Sequence, residues 1–365
     1  MTSFSGTYEK IRVLVVDDSA FVRRALTKIL EHDPRIEVIG TAWDGREAIE
    51  KIPRMTPDVV TMDINMPKMN GIEALDVIMR EMPVPVIIVS SLEKYIIEET
   101  LEALEHGAVD FVIKPTDLAS DLLFQIKTEL ISKVVALASL KRNIAPLQMT
   151  VTQAPKRQTL QEPRLPVRAP APRVKAKIEC VAIGVSTGGP TALYQIIPRL
   201  PQNFSAGILI VQHMPPGFTK PLADRMNKNC VLDVKEAESG DEIRPGLVLI
   251  APGGHHMFLR TDARKKIVID INREPSHYIH IPSIDITFSD VADLYRERAV
   301  GVILTGMGKD GVDGLERIKN NGGRSIAEDE STCVVFGMPE VAIRRGIVEK
   351  IAPIYNIADI LLEMV

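Results

Sequence analysis

Cysteine is scarce in this sequence: Cys180, Cys230 and Cys333 are the only three in 365 residues, and they lie far apart. An odd, scattered set excludes a disulfide framework and the paired spacing of a zinc site, and it fits a reducing compartment. Excess charge of one sign is lacking as well. Lys and Arg number 44 against 48 Asp and Glu, a net charge of −4, which excludes a strongly basic nucleic-acid binder at the level of the whole chain. No apolar run approaches the roughly 18 residues of a membrane span, so no membrane insertion is expected. The opening MTSFSGTYEKIR has no apolar signal-peptide core, and the expected location is cytoplasmic. What remains is 45% apolar and 25% charged, an ordinary globular balance with enough length for two domains or three.

The boundary between them is written in proline. Residues 141–177 hold Pro146, Pro155, Pro163, Pro166, Pro170 and Pro172, and the stretch is basic, with Lys156, Arg157, Arg164, Arg168, Arg173, Lys175 and Lys177 near a lone Glu162. Proline removes backbone donors and fixes φ, so neither a helix nor a central strand runs through such a stretch. It reads as an extended, semi-rigid linker. A basic patch for nucleic acid or membrane is the rival, but no aromatics interleave there.

Upstream, IRVLVV (11–16), IEVIGT (36–41), DVVTM (58–62), PVIIVS (85–90) and VDFVI (109–113) are short and nearly all apolar, as parallel strands covered on both faces must be. Helical periodicity fills the gaps at 19–32, 46–53, 71–81, 96–106 and about 118–140. In the first of these Phe21, Ala25, Leu26 and Ile29 share a face. Five βα units make a doubly wound α/β domain whose ligands sit at the carboxyl ends of the strands. Asp17 and Asp18 end the first strand, Asp63 the third, Ser90 the fourth and Lys114 the fifth. Clustered carboxylates repel and are stable mainly with a cation, and oxygen ligands in small number suit Mg²⁺. A carboxylate beside Mg²⁺ can attack a phosphoryl donor, and a nearby hydroxyl and ammonium can hold the new oxygens. Helix capping explains one acidic residue at a strand end, but not five polar groups at four ends together with Lys114-Pro115.

Residues about 9–130 resemble the receiver domain of two-component response regulators, through Val16-Asp17-Asp18-Ser19, Met62-Asp63-Ile64-Asn65-Met66-Pro67, Ser90 and Lys114-Pro115. The resemblance implies that Asp63 accepts phosphate from a histidine kinase. It implies that Asp18, Asp63 and the backbone carbonyl of Asn65 bind Mg²⁺ directly and Asp17 through water. Ser90 and Phe111 would be the switch pair, with Lys114 beside them.

Downstream of the linker, IECVAIG (178–184), AGILIVQ (206–212), LVLIAP (247–252) and AVGVILTG (299–306) look like buried strands, with helices at 189–200 and 311–320. The segments 256–259 and 266–271 are expected to form a hairpin at one edge of a second, mostly parallel α/β domain. Gly184-Val185-Ser186-Thr187-Gly188 fits G-x-S-x-G, which exposes a Ser hydroxyl on a tight strand-to-helix turn. The helix N-terminus there favours a developing oxyanion. Phosphate binding is the weaker reading, since G-x-G-x-x-G and a P-loop Lys are both absent. His213 and Asp310 lie at two further strand ends, and Ser, His and Asp together can form a hydrolytic triad. The order Ser…His…Asp differs from that of the α/β-hydrolases. Asp313, Glu328 and Asp329 are rival carboxylates, and periodicity does not choose among them.

Residues about 178–362 resemble the catalytic domain of the chemotaxis methylesterases, the CheB family. The stretches that carry the likeness are Ser186-Thr187-Gly188-Gly189-Pro190, Gln212-His213-Met214-Pro215, Ala251-Pro252-Gly253, Thr305 to Gly311, and Phe336-Gly337-Met338-Pro339. The resemblance implies Ser186 as nucleophile, His213 as general base and Asp310 as its orienter, with the backbone amides near Thr187 and Met307 on the oxyanion. It divides the chain into a receiver at 9–130, a helix end and linker at 131–177, and a catalytic domain at 178–365. The implied function is phosphorylation-activated hydrolysis of glutamate methyl esters on the cytoplasmic helices of chemoreceptors, giving glutamate and methanol. Receptor glutamine deamidation is a second implied activity, the chemotaxis histidine kinase CheA is the implied phosphodonor, and no cofactor is expected for the esterase chemistry. The rival is a non-enzymatic response regulator whose output domain binds a protein partner; Ser, His and Asp at three strand ends argue against it.

Overall fold

A computed structural model describes residues 9–91, 94–114, 120–141 and 176–365. Pro115 and nearly all of the Pro-rich stretch lie outside these residues. The N-terminal part is a five-stranded sheet of β1 (Ile11–Val16), β2 (Ile36–Ala42), β3 (Val59–Met62), β4 (Val86–Ser90) and β5 (Asp110–Ile113). All neighbours are parallel, in the order β2-β1-β3-β4-β5. Helices α1 (Ala20–Leu30), α2 (Gly45–Met55), α3 (Gly71–Glu81), α4 (Lys94–Glu105) and α5 (Ser120–Lys141) cover its faces. Their starts are set by side chains that satisfy orphan amides. Ser19 and Asp44 accept from Val22 and Glu47, and Asn70 and Glu73 form a reciprocal capping box, each cap contributing about 1 kcal/mol. One expectation fails. In α1 the buried side chains are Leu26 and Leu30, with Val22 and Ile29 packed beside them, whereas Phe21 stands 61% exposed. The sheet lies one residue round the helix from the face that Phe21 would favour.

The C-terminal part holds seven parallel strands: β6 (Cys180–Val185), β7 (Gly207–Gln212), β8 (Asp233–Glu236), β9 (Leu247–Ile250), β12 (Ala299–Ile303), β13 (Arg324–Glu328) and β14 (Lys350–Ala352). Their order is β14-β13-β12-β6-β7-β9-β8. The hairpin, β10 (His256–Thr261) with β11 (Ile267–Asn272), is antiparallel and forms its own two-stranded sheet rather than an edge of the large one. Helices α6 (Gly189–Ile196), α7 (Thr219–Asn229), α8 (Ile284–Tyr295), α9 (Val312–Asn320), α10 (Met338–Arg344) and α11 (Ile354–Met364) pack around the sheet. The chain leaves β6 toward β7 on one side and later returns to β12 on the other. The loops after β6, β7 and β12 therefore open side by side at a topological switch point, where ligands of such sheets bind.

The two parts share apolar contacts. Ile97, Leu101 and Phe111 of the first belong to the same buried cluster as Met214, Phe218 and Leu222 of the second. Val334, in the loop before α10, packs against the cluster that includes Ile126, Leu130 and Val134 of α5.

Candidate functional site

In the N-terminal sheet, the ends of β1, β3 and β5 bring Asp17, Asp18, Asp63 and Lys114 together. One oxygen from each of the three carboxylates lies within 4.8 Å of the others. The Lys114 ammonium bridges two of them, 2.8 Å from Asp17 and 2.7 Å from Asp63. Arg23 holds the Asp17-Asp18 turn by donating to both carbonyls. Burial raises the Asp63 pKa, against the pull of Lys114. Burial also works against the charge on Lys114, but Asp63 and Asp17 outweigh it and the ammonium is held above its usual range. Three carboxylates at one point, with one cation to balance them, are a donor set that fits a hard divalent ion such as Mg²⁺. The Asn65 side chain turns away and donates to Glu99 on α4. The Ser90 hydroxyl is fully buried and pairs with Thr100 of α4 at 2.7 Å. Phe111 points into the contact with the second part.

The second site is built at the switch point. Ser186 leaves β6 with its N–H donating to the Thr305 carbonyl. Gly188 follows at φ +76°, the left-handed turn that opens α6. Gly306 lies directly against the Ser: a Cβ there would stand 2.7 Å from the Ser186 Cβ, so no larger residue fits. Gln212 Nε2 donates to the carbonyls of Ser186 and His213, both at 3.0 Å, and ties the two loops together. Thr305 donates to the Thr187 carbonyl. Met307 is exposed at the rim.

His213 Nε2 meets Asp310 Oδ2 at 2.8 Å. Its other nitrogen, Nδ1, is buried without a partner, and among the described residues the Ser186 hydroxyl makes no hydrogen bond. Asp310 is wrapped by donors the sequence reading missed. The Ser283 hydroxyl and the Asp285 N–H reach Oδ1, and the Ile284 N–H reaches Oδ2. These residues open α8, so the carboxylate sits at a helix N-terminus. Burial would raise its pKa; the hydrogen bond and charge of His213, with the Ile284 and Asp285 amides, outweigh it and hold Asp310 well below the usual carboxylate range. The rival carboxylates go elsewhere: Asp313 pairs with Arg345, Glu328 accepts from Thr305 and Thr332, and Asp329 accepts from Ser331. The sequence reading also missed His280, whose ring stacks on His213 with centroids 4.1 Å apart and planes at 13°. Desolvation and His213 push its pKa down to about 4. Ser283 carries a sequence signal, being a cap-type residue just before a helix. His280 carries none, because only the path of the loop before α8 brings it to His213.

Residues 181–361 match the protein family described as CheB methylesterase, and residues 13–126 match the response regulator receiver domain. A protein-glutamate methylesterase/protein-glutamine glutaminase of Symbiobacterium thermophilum is 46% identical over 360 residues, 96% of this chain and 95% of that one. The protein of the same description from Thermotoga maritima is 46% identical over 355 residues, 97% of this chain and 98% of its own. The crystal structure of the Thermotoga maritima CheB methylesterase catalytic domain aligns at a TM-score of 0.50 and 46% identity, covering 52% of this chain and 100% of that one.

Proposed function

The chain belongs to the CheB methylesterase family and carries a response-regulator receiver domain, and from that premise we propose that it demethylates chemoreceptor glutamates under control of receiver phosphorylation. The products are glutamate and methanol. Deamidation of receptor glutamines is the second activity of the same site. The non-enzymatic reading is not favoured.

One observation supports the mechanism above others: the His213–Asp310 pair at 2.8 Å stands beside the Ser186 turn with its second ring nitrogen free. In this reading Nδ1 takes the Ser186 proton as the hydroxyl oxygen attacks the ester carbonyl. Asp310 balances the imidazolium. The backbone amides of Thr187 and Met307 meet the oxyanion. His213 returns the proton to departing methanol, and water, deprotonated by the same nitrogen, releases the acyl group. Asp63 is the phosphate acceptor. Asp18, Asp63 and the Asn65 carbonyl would hold Mg²⁺, with Asp17 through water; the ion would supply charge balance at the transferring phosphoryl oxygens. Lys114 and Ser90 would bind the new oxygens, with Phe111 as the second member of the switch pair. The substrate is the methylated cytoplasmic helix of a chemoreceptor, the phosphodonor is the kinase CheA, and the protein works in the cytoplasm; no helix among the described residues is long and apolar enough to cross a membrane.

The test is methanol release from methylated receptor membranes, with and without a small phosphodonor and Mg²⁺. Release should rise with phosphodonor, vanish in Ser186→Ala and lose its stimulation in Asp63→Ala. No release from folded protein on a substrate known to be methylated would sink the esterase reading.

A further inference from the structure

Thr305, two residues past the end of β12, uses every polar group it has at the second site. Its carbonyl accepts the Ser186 N–H at 3.0 Å. Its hydroxyl donates to the Thr187 carbonyl and accepts the Val335 N–H, both at 2.9 Å. Its own N–H donates to Glu328 Oε2 at 2.8 Å. Thr305 thus grips the Ser186–Thr187 peptide from both sides. The carbonyl of that peptide, on Ser186, accepts from Gln212 Nε2 and from the Gly189 N–H. In a planar trans peptide the N–H points away from the carbonyl, so the Thr187 N–H is held facing away from Gln212 and Gly189. The second amide is fixed in the same way. The carbonyl of the Gly306–Met307 peptide accepts the Met338 N–H at 2.8 Å, which turns the Met307 N–H to the opposite side. Thr305 is covalently joined to Gly306 at the head of this peptide and hydrogen-bonded around the other one, so it sets the spacing between the two amides. Glu328 ends β13 and is 1% exposed, as is Thr305. Its Oε1 accepts the Thr332 hydroxyl at 3.0 Å, and the oxygen of that hydroxyl accepts the Ile354 N–H. A carboxylate is costly to bury this deeply unless its oxygens are hydrogen-bonded, and its direct contact with the loop of the site is the Thr305 N–H.

We propose that Thr305 and Glu328 are positioning residues for the ester hydrolysis: Glu328 fixes the Thr305 backbone from β13, and the Thr305 hydroxyl and carbonyl fix the Ser186 turn so that the Thr187 and Met307 amides meet the oxyanion together. The effect on turnover rests on the esterase reading; the clamp itself does not. Both side chains are buried behind the loops, so neither touches substrate. Their loss acts on the preorganised donors and therefore on the chemical step rather than on binding.

The experiment uses the full chain with phosphodonor and Mg²⁺. It reads methanol release from methylated receptor membranes and, by mass spectrometry, hydrogen exchange of the backbone amides at 184–190. Thr305→Val keeps the shape of the side chain and removes its hydroxyl, whereas Thr305→Ser keeps the hydroxyl. Thr305→Val should exchange faster than wild type at 184–190 and lower kcat by about tenfold or more with KM within about twofold, the signature of displaced donors rather than weakened binding. Thr305→Ser should recover most of both the turnover and the protection. Glu328 gives a second route should a melting curve show that Thr305→Val does not fold. Glu328→Met fills the space without an acceptor and should repeat the loss, while Glu328→Gln offers an oxygen to the Thr305 N–H and should recover most of the turnover. Wild-type kcat in Thr305→Val, Thr305→Ser as slow as Thr305→Val, or a loss carried by KM alone would overturn the proposal, as would Glu328→Gln as slow as Glu328→Met. Faster exchange in Thr305→Val with no methanol from any protein, wild type included, would uphold the clamp and count against the esterase reading instead.

Discussion

The ring of Phe111 lies stacked on that of Phe218, centroids 4.5 Å apart and planes 19° from parallel. Phe111 sits on β5, three residues before the Lys114 that bridges Asp17 and Asp63. Phe218 sits five residues after His213, where α7 begins. Each ring is all but removed from water, and burying a Phe side chain contributes about 1.5–3 kcal/mol. This one contact therefore ties the strand that leads to the Asp17, Asp63 and Lys114 cluster to the loop that carries His213. The last receiver helix stands close as well, since Val334 of the second part packs against the cluster that holds Ile126, Leu130 and Val134 of α5. If a receiver held this way screens the site from a receptor helix, phosphorylation would open it by favouring the undocked form. Phe218→Ala should raise methanol release without phosphodonor, by about tenfold for each ~1.4 kcal/mol lost from the docked form. A melting curve checks that the variant folds, and basal release at the wild-type level would argue against docking as the gate.

Arg225 of α7 is the polar counterpart of that contact. Its guanidinium lies 3.2 Å from Glu98 and 2.9 Å from Glu105, with Glu102 at 3.9 Å, all on α4. Tyr194 adds a hydroxyl donated to Glu105. Half-exposed pairs of this kind contribute about 0–1 kcal/mol each and weaken with salt. Arg225→Glu places four acids face to face and should raise basal turnover, while wild-type basal turnover should climb with ionic strength and the variant's should not. The paired salt titrations check this.

Much of this arrangement is legible in the sequence because its cause is local. Parallel strands buried on both faces are apolar throughout, so IRVLVV and AGILIVQ declare themselves. The edge strands of the seven-stranded sheet do not. Asp233–Glu236 and Lys350–Ala352 are short and partly charged, since one side of an edge strand meets solvent. Phe21 misleads because an apolar residue on a helix need not face the sheet. At the second site, the Ser, His and Asp stand at strand ends and can be picked out by position. The choice of Asp310 over Asp313, Glu328 and Asp329 depends on contacts across the sheet edge. So do Gln212, His280 and the Ser283-Ile284-Asp285 cradle, which share no spacing with the residues they hold.

The carboxylate cluster yields a prediction about phosphorylation. Asp63→Asn removes the acceptor oxygen and lowers the charge that Lys114 and a metal must balance. Stimulation by phosphodonor should be lost, while the unstimulated rate stays within about twofold of wild type, because the Ser186, His213 and Asp310 contacts lie in the other sheet. Chelating Mg²⁺ should abolish stimulation of wild type and leave Asp63→Asn unchanged. Methanol release with and without chelator in both proteins checks this, and a variant that still responds to phosphodonor would place the acceptor elsewhere.

His280 yields a prediction about stability and pH. Its folded pKa is pushed down to about 4 from an ordinary 6.5. Between these values the unfolded chain binds the proton and the folded one does not, so stability rises with pH there. The contribution is complete above about pH 6.5 and is lost as pH falls toward 4. Protonation below that range also places a cation against the face of His213, and stacking gives way to repulsion. The melting temperature of wild type should therefore climb between pH 4 and 6.5 more steeply than that of His280→Gln, which has no proton to gain. The two proteins should respond alike above pH 7. Parallel slopes across the acid range would mean that the stacked ring titrates as freely as an exposed one, and that the stacking does not exclude the charged form.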